Sequence, residues 1–150
     1  TQGVSSAASD VYKRQGQLAA ARGDNGQAQA HLQRAARLAP TNERIRNDLG
    51  VVYLNQLRIE DARFEFLTAI ELKQSEPLAA INLVTLLLYQ DNWQQAAQVV
   101  SQASLNPQQF AQAQARAEEL KAPTAPRAKV TQVASGATTL QPDAAPAKER

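Results

Sequence analysis

The sequence contains no cysteine and no methionine among its 150 residues. Disulfide bonds and zinc sites with thiolate ligands are therefore excluded. Histidine is almost absent as well. The one histidine, His31, has no acidic cluster within a helical turn, so we interpret it as a packing or surface residue. The sequence predicts no catalytic residue, no metal site and no cofactor, and hence a protein that is not an enzyme.

Neither sign of charge predominates in the sequence, and long apolar runs are also absent. The net charge is only +2, and arginines alternate with aspartates and glutamates over residues 34–65. Nucleic-acid binding needs a segregated basic face, so we expect no nucleic-acid partner. No apolar run is long enough for a membrane span or a signal sequence.

Aromatic residues make up only 5% of the chain, while small side chains recur with a fixed period. Similar apolar stretches follow one another at a constant interval: Ala28, Leu32, Ala35, Leu38; Ala62, Phe66, Ala69, Leu72; and Ala96, Val100, Ala103. An interval of about 34 residues is typical of helix-turn-helix repeats that stack into a solenoid.

The middle unit carries a recognisable pattern, with Leu49, Gly50 and Tyr53 on its first helix and Ala62 on its second. We expect Gly50 and Ala62 to lie where the two helices cross, because a large side chain there would hold the backbones apart. The pattern resembles the tetratricopeptide repeat. This resemblance implies an all-α fold, a right-handed superhelix of about three helical hairpins with a C-terminal capping helix.

Composition and turn residues set the predicted boundaries. Repeats are expected at about residues 15–40, 41–75 and 76–107, followed by a capping helix at 108–121. Residues 1–14 include VSSAASDVYKRQ, which resembles a translated sequencing-adapter tail, and we expect a disordered or non-native leader there. Residues 122–150 are rich in Ala, Pro and Thr, which predicts a disordered tail.

Two clusters allow more than one interpretation. Glu60, Asp61 and Glu65 could form a paired-carboxylate site, but Arg58 and Arg63 stand among them at helical spacing, which favours solvated ion pairs. The apolar run at residues 83–89 belongs either to a helix covered on both sides or to one partly open to a ligand.

In the tetratricopeptide family the first helices of the repeats form a concave groove that takes a protein segment. The resemblance implies a protein or peptide partner in this groove, and matching slots give its candidate residues. They are Arg44, Asn47, Val51, Leu54, Asn55, Ile81, Thr85, Leu88 and Tyr89.

Three stretches, NDLG at residues 47–50, ARFEFLTA at 62–69 and NLVTLL at 82–87, resemble the TadD family of tetratricopeptide lipoproteins. These proteins serve assembly of the Flp, or tight-adherence, pilus. The resemblance implies a periplasmic pilotin or scaffold at the outer membrane, a secretin or pilus component as partner, and a lipid anchor upstream of this sequence. A cytoplasmic scaffold or co-chaperone, and a regulatory domain of a larger enzyme, are the alternatives.

Overall fold

The computed structural model describes the backbone of residues 2–122 and the side chains of residues 7–122. Over this range the chain forms seven α-helices and no strand. The helices are α1 (Gln2–Ala21), α2 (Asn25–Leu38), α3 (Glu43–Asn55), α4 (Ile59–Leu72), α5 (Leu78–Tyr89), α6 (Trp93–Gln102) and α7 (Pro107–Lys121). They pair as α1 with α2, α3 with α4 and α5 with α6, and each hairpin packs on the next. The predicted all-α helical solenoid is confirmed.

The turn inside each hairpin has the same backbone shape. Gly23, Leu57 and Asp91 occupy the same position in successive hairpins and adopt φ values of 81°, 60° and 60°. This left-handed conformation ends a helix and suits glycine, whereas it is unfavourable for leucine. The repeat geometry therefore determines the backbone at these positions even where the side chain disfavours it.

Side-chain caps start most of the helices that follow a loop. Asp24 accepts a hydrogen bond from the backbone N–H of Gln27, and Asn92 accepts one from Gln95. At the start of α3 the side-chain oxygen of Asn42 accepts two backbone N–H bonds, at 3.0 and 3.1 Å. These short polar residues satisfy N–H groups that the first helical turn leaves free.

Close approach of the two helices in each of the first two hairpins depends on glycine. A Cβ atom built on Gly50 would lie 2.5 Å from the ring of Phe66, and one on Gly16 would lie 2.6 Å from Cγ of Leu32. We expected Gly50 to face Ala62 at the crossing. The residue that meets it is Phe66, one turn further along α4, while Ala62 is fully buried in the same core.

Helix α5 is the most deeply buried of the seven helices. Nine of its twelve residues are buried, including Leu86 at 0% and Leu88 at 2% exposure. Of the two interpretations of the apolar run at residues 83–89, the covered helix is the one observed.

The amino-terminal boundary differs from the prediction. We expected residues 1–14 to lie outside the repeats, but α1 begins at Gln2, and Ser9 is buried with 2% exposure. The segment contains no Pro, so no residue in it prevents the helix from extending. The predicted tail at residues 122–150 lies outside the described residues except for Ala122.

The Gly50–Phe66 contact predicts that adding one methyl group at Gly50 would lower the stability of the protein. Gly50→Ala should lower the free energy of unfolding by about 1–3 kcal/mol, because a buried aromatic ring must shift to admit the new Cβ. Urea denaturation followed by circular dichroism measures this change. The control is Gly26→Ala, where the new Cβ meets only a carboxylate oxygen at 3.8 Å and helix propensity should raise stability by up to about 1 kcal/mol. Equal effects of the two variants would contradict the packing described.

The left-handed turn at Leu57 predicts that a glycine there would make the protein more stable. Leu57→Gly should raise the free energy of unfolding by up to about 1 kcal/mol, because the leucine is 43% exposed and its backbone conformation is unfavourable. Gly23→Ala, the opposite kind of change one repeat earlier, should lower it by a similar amount. Thermal denaturation of both variants checks the pair, and a destabilised Leu57→Gly would mean that packing of the side chain outweighs the backbone term.

Candidate functional site

The inner face, which we define as the side of α3 and α5 that carries the predicted groove residues together with the adjoining side of α1, is only partly open. Five of the nine candidates are buried, namely Asn47, Leu54, Ile81, Thr85 and Leu88. Val51, Asn55 and Tyr89 are half-buried, and Arg44 is exposed. The predicted groove therefore divides into an accessible part on α3 and a covered part on α5.

Helix α7 reaches the end of α3. The Arg116 guanidinium of α7 donates a hydrogen bond to the side-chain oxygen of Asn55, at the end of α3. The buried residues of α7 belong to the same hydrophobic core as Leu88. Thr85 and Leu88 are buried to 1% and 2% exposure. They do not line an open surface in the structure, and their role in partner binding stays a prediction.

Asn47 has a structural partner. Its side-chain oxygen accepts a hydrogen bond of 2.8 Å from the amide of Asn82, which joins α3 to α5. A buried amide needs such a partner, since an unsatisfied one costs free energy. The role of Asn47 in partner binding stays a prediction.

The accessible part lies between α1 and α3. A cleft of about 160 Å³ is lined there by Gln17, Ala20, Leu32, Asp48, Val51 and Val52. The Gln17 amide donates a hydrogen bond of 2.8 Å to the Asp48 carboxylate across the cleft. Sequence reasoning missed both residues. A signal was available for Gln17, which stands one full repeat before the candidate Val51.

Burial governs the charge of the cleft. Loss of water around Asp48 raises the pKa of its carboxyl above the ordinary value, although the Gln17 hydrogen bond and the charges of Arg44 and Lys13 act in the opposite direction. A carboxylate held in this way can accept hydrogen bonds from an incoming peptide backbone or a basic side chain.

The opposite, outer face carries two troughs related by the repeat period. The first lies between α2 and α4 and has a volume of about 440 Å³, and the second lies between α4 and α6 and has about 340 Å³. Arg46 and Glu65 line the first and form an ion pair of 3.1 Å, whereas Ala80 and Val99 occupy the matching positions in the second. Two apolar residues thus replace the ion pair of the first trough at the matching positions of the second.

The three acidic residues of the predicted cluster form separate ion pairs. Asp61 contacts Arg58 at 2.7 Å and Glu60 contacts Arg63 at 3.4 Å on the exposed side of α4. Glu65 instead turns inward to Arg46, and desolvation raises the pKa of its carboxyl while that arginine opposes the shift. The three carboxylates therefore do not form one site.

Other chemistry finds little support among residues 2–122. The His31 ring stacks on that of Tyr12, with centroids 6.4 Å apart. No group of three or more His, Cys, Asp or Glu side chains is placed in this range to hold a metal ion. None of the described helices combines the length and apolar character needed to cross a membrane.

Comparison with known proteins agrees with this architecture. Residues 19–80 match the tetratricopeptide repeat family. A TPR repeat-containing protein of Pseudomonas aeruginosa is 42% identical over 113 residues, which are 75% of this chain and 46% of that protein. The chain thus spans about half the length of this relative. The helical hairpins within residues 19–80 are similar to tetratricopeptide repeats.

The raised pKa of Asp48 predicts a pH dependence. Because the folded protein holds the proton at higher pH than the unfolded chain, stability should fall as pH rises from the ordinary pKa of 3.8 through the folded value. Asp48→Asn should remove this contribution to the pH dependence of stability. The variant should therefore become more stable relative to the unmodified protein as pH rises. Urea denaturation at a series of pH values measures the difference.

Gln17→Ala provides the matched variant. It removes a hydrogen bond that favours the charged carboxylate, so the pKa of Asp48 should rise further and the loss of stability should extend to higher pH. A slope that is unchanged in both variants would show that Asp48 does not control it.

Proposed function

We propose that this chain is a non-enzymatic adaptor that binds a segment of a protein partner along the accessible inner face of α3. Tetratricopeptide repeats serve as protein-interaction scaffolds, and solenoids bind partners on their concave surfaces. The observation that supports this location is a single stripe on α3. Arg44, Asp48, Val51 and Asn55, spaced four, three and four residues apart, are all at least partly exposed.

The stripe suits a peptide by its mixed chemistry. Arg44 supplies a positive charge and Asp48 a half-buried acceptor, while Val51 offers an apolar contact beside the cleft between α1 and α3. Asn55 can donate through its amide even while its oxygen accepts from Arg116. Such a surface can bind both backbone groups and one apolar side chain of an extended segment.

Within this class, we propose a role in assembly of the Flp pilus, with a secretin or another assembly component as partner. Support comes from the TadD-like stretches at residues 47–50, 62–69 and 82–87. A protein of this kind would act in the periplasm, near the outer membrane and tethered by a lipid anchor. A cytoplasmic scaffold or co-chaperone, and a regulatory domain of a larger enzyme, are the competing assignments.

The proposed partner surface predicts a specific loss of binding. With a tagged chain co-expressed with the secretin of a tight-adherence system, Val51→Asp should reduce the recovered secretin by about tenfold or more, because it places a charge at the apolar contact of the stripe. Co-purification measured by quantitative immunoblotting tests this, with circular dichroism to verify the fold.

Leu18→Asp is the control, since Leu18 is an aliphatic residue of α1 with 56% exposure that does not line the cleft. Leu54 and Leu88 are unsuitable as test positions because a buried charge there would unfold the protein. Secretin binding that survives both Val51→Asp and Arg44→Glu would exclude this stripe as the interface. Capture of a cytosolic chaperone in place of the secretin would favour the cytoplasmic alternative.

A further inference from the structure

The cleft between α1 and α3 owes its space to two side chains that are smaller than their equivalents in the next repeat. Ala20 and Leu32 line the cleft, and the residues at the matching positions one repeat period later are Leu54 and Phe66, which are larger and buried. About 160 Å³ therefore remains open between α1 and α3. Since a water molecule takes up about 30 Å³ in the liquid, the cleft can hold several non-hydrogen atoms of a ligand.

The cleft also contains a carboxylate that lacks an ion pair. Asp48 lines it, whereas the matching residue of α5 is Asn82, a neutral amide that donates a 2.8 Å hydrogen bond to Asn47. None of the ion pairs among the described side chains involves Asp48. The charges of Lys13 and Arg44 act on its carboxyl, but neither of these residues lines the cleft. The space and the unpaired carboxylate thus occur together at this step of the repeat.

Burial makes the charged form of Asp48 unfavourable in the free protein. Loss of water raises the pKa of its carboxyl, and the hydrogen bond of 2.8 Å from the Gln17 amide to Oδ2 offsets only part of this effect. An ammonium group against the carboxylate would offset more, because a hydrogen bond between two charged groups is stronger than one from a neutral amide. The cleft therefore favours a cationic ligand.

The Gln17 hydrogen bond selects the type of cation. A guanidinium contacts a carboxylate best through both oxygens, and Oδ2 of Asp48 already accepts from Gln17. An ammonium is a point charge that needs only one oxygen. The rest of the cleft is apolar and suits the four-carbon stem of a lysine side chain. It is lined by Ala20, Leu32, Val51 and Val52.

We propose that the cleft between α1 and α3 receives one lysine side chain of the partner segment, with its stem against Leu32 and Val52 and its ammonium group at the Asp48 carboxylate. This inference rests on the proposed function, because it names the residue of the partner that the exposed stripe on α3 recognises. The partner segment carries this lysine where it passes between α1 and α3.

The test uses blocked amino acids as probes and the full chain as the receptor. Nα-acetyl-lysine N-methylamide should bind saturably and shift the methyl NMR signals of Leu32, Val51 and Val52. The norleucine analogue has the same four-carbon stem without the ammonium group, so it should bind at least about tenfold more weakly. The arginine analogue should also bind more weakly than lysine, because Gln17 occupies one oxygen of the carboxylate.

Two variants locate the binding of the lysine probe. Asp48→Asn keeps the shape of the side chain and removes its charge, so it should weaken lysine binding about tenfold, to the level of the norleucine analogue. Ala20→Leu introduces the residue that the next repeat has at the matching position, and it should abolish binding of every probe by filling the cleft. Ala21→Leu is the control, since Ala21 is exposed and does not line the cleft, and it should bind as the unmodified protein does.

Three results would each overturn the inference. They are the absence of saturable shifts with the lysine probe, lysine binding no tighter than that of the norleucine or arginine analogue, and lysine binding that is unchanged in Asp48→Asn. Should circular dichroism show that Ala20→Leu does not fold, Asp48→Asn still decides the question.

The probe assay needs no natural partner, so its failure would leave the Val51 and Arg44 tests of the proposed function intact. Secretin binding that survives those two variants would refute the proposed interface and would leave the probe result unchanged. The two proposals can therefore fail separately.

Discussion

Phe66 lies against the backbone of Gly50, at a distance that a single additional carbon atom would make impossible. The same relation holds one repeat earlier between Leu32 and Gly16. Through these contacts the two helices of a hairpin approach closely enough for one large side chain to fill the space between them. Contacts of α2 with α3 and of α4 with α5 then join each hairpin to the next. The rest of the architecture depends on this approach, because wider spacing would open the core that buries Ala62 and Val84.

Side-chain hydrogen bonds then join the first helices across the inner face. Gln17 binds Asp48 between α1 and α3, Asn82 binds Asn47 between α3 and α5, and Arg116 brings α7 to α3. These polar links differ in burial. The Asn pair is part-buried in a closely packed step, whereas Gln17 and Asp48 border an accessible cleft. The inner face is thus closed and largely apolar near α5 and open and polar near α1.

The hairpin architecture could be predicted from the sequence because its period is carried by small residues that permit few substitutions. In the structure Gly23 and Asp91 stand at the turns inside their hairpins, and α7 spans Pro107–Lys121 where the capping helix was predicted at 108–121. The start of α1 was not predictable, because residues 2–14 lack the periodicity of the repeats yet contain nothing that stops a helix. The accessibility of the groove residues was harder to predict. Whether a partner contacts the residues of α3 and α5 named by slot matching stays a prediction, and the slots did not indicate that Thr85 and Leu88 are buried. No local pattern contains that information.

The Arg46–Glu65 pair has a bearing on folding accuracy as well as on the outer face. Similar repeats within one chain invite errors, since a helix can dock in its neighbour's place or exchange with a second molecule. Ala80 occupies in α5 the position that Arg46 has in α3, so a helix docked one unit out of step would leave the Glu65 carboxylate enclosed with no cation beside it. Burying a charge without a partner lowers the stability of the folded state. By varying one buried pair between otherwise equivalent units, the chain distinguishes the intended order of its hairpins from the shifted ones.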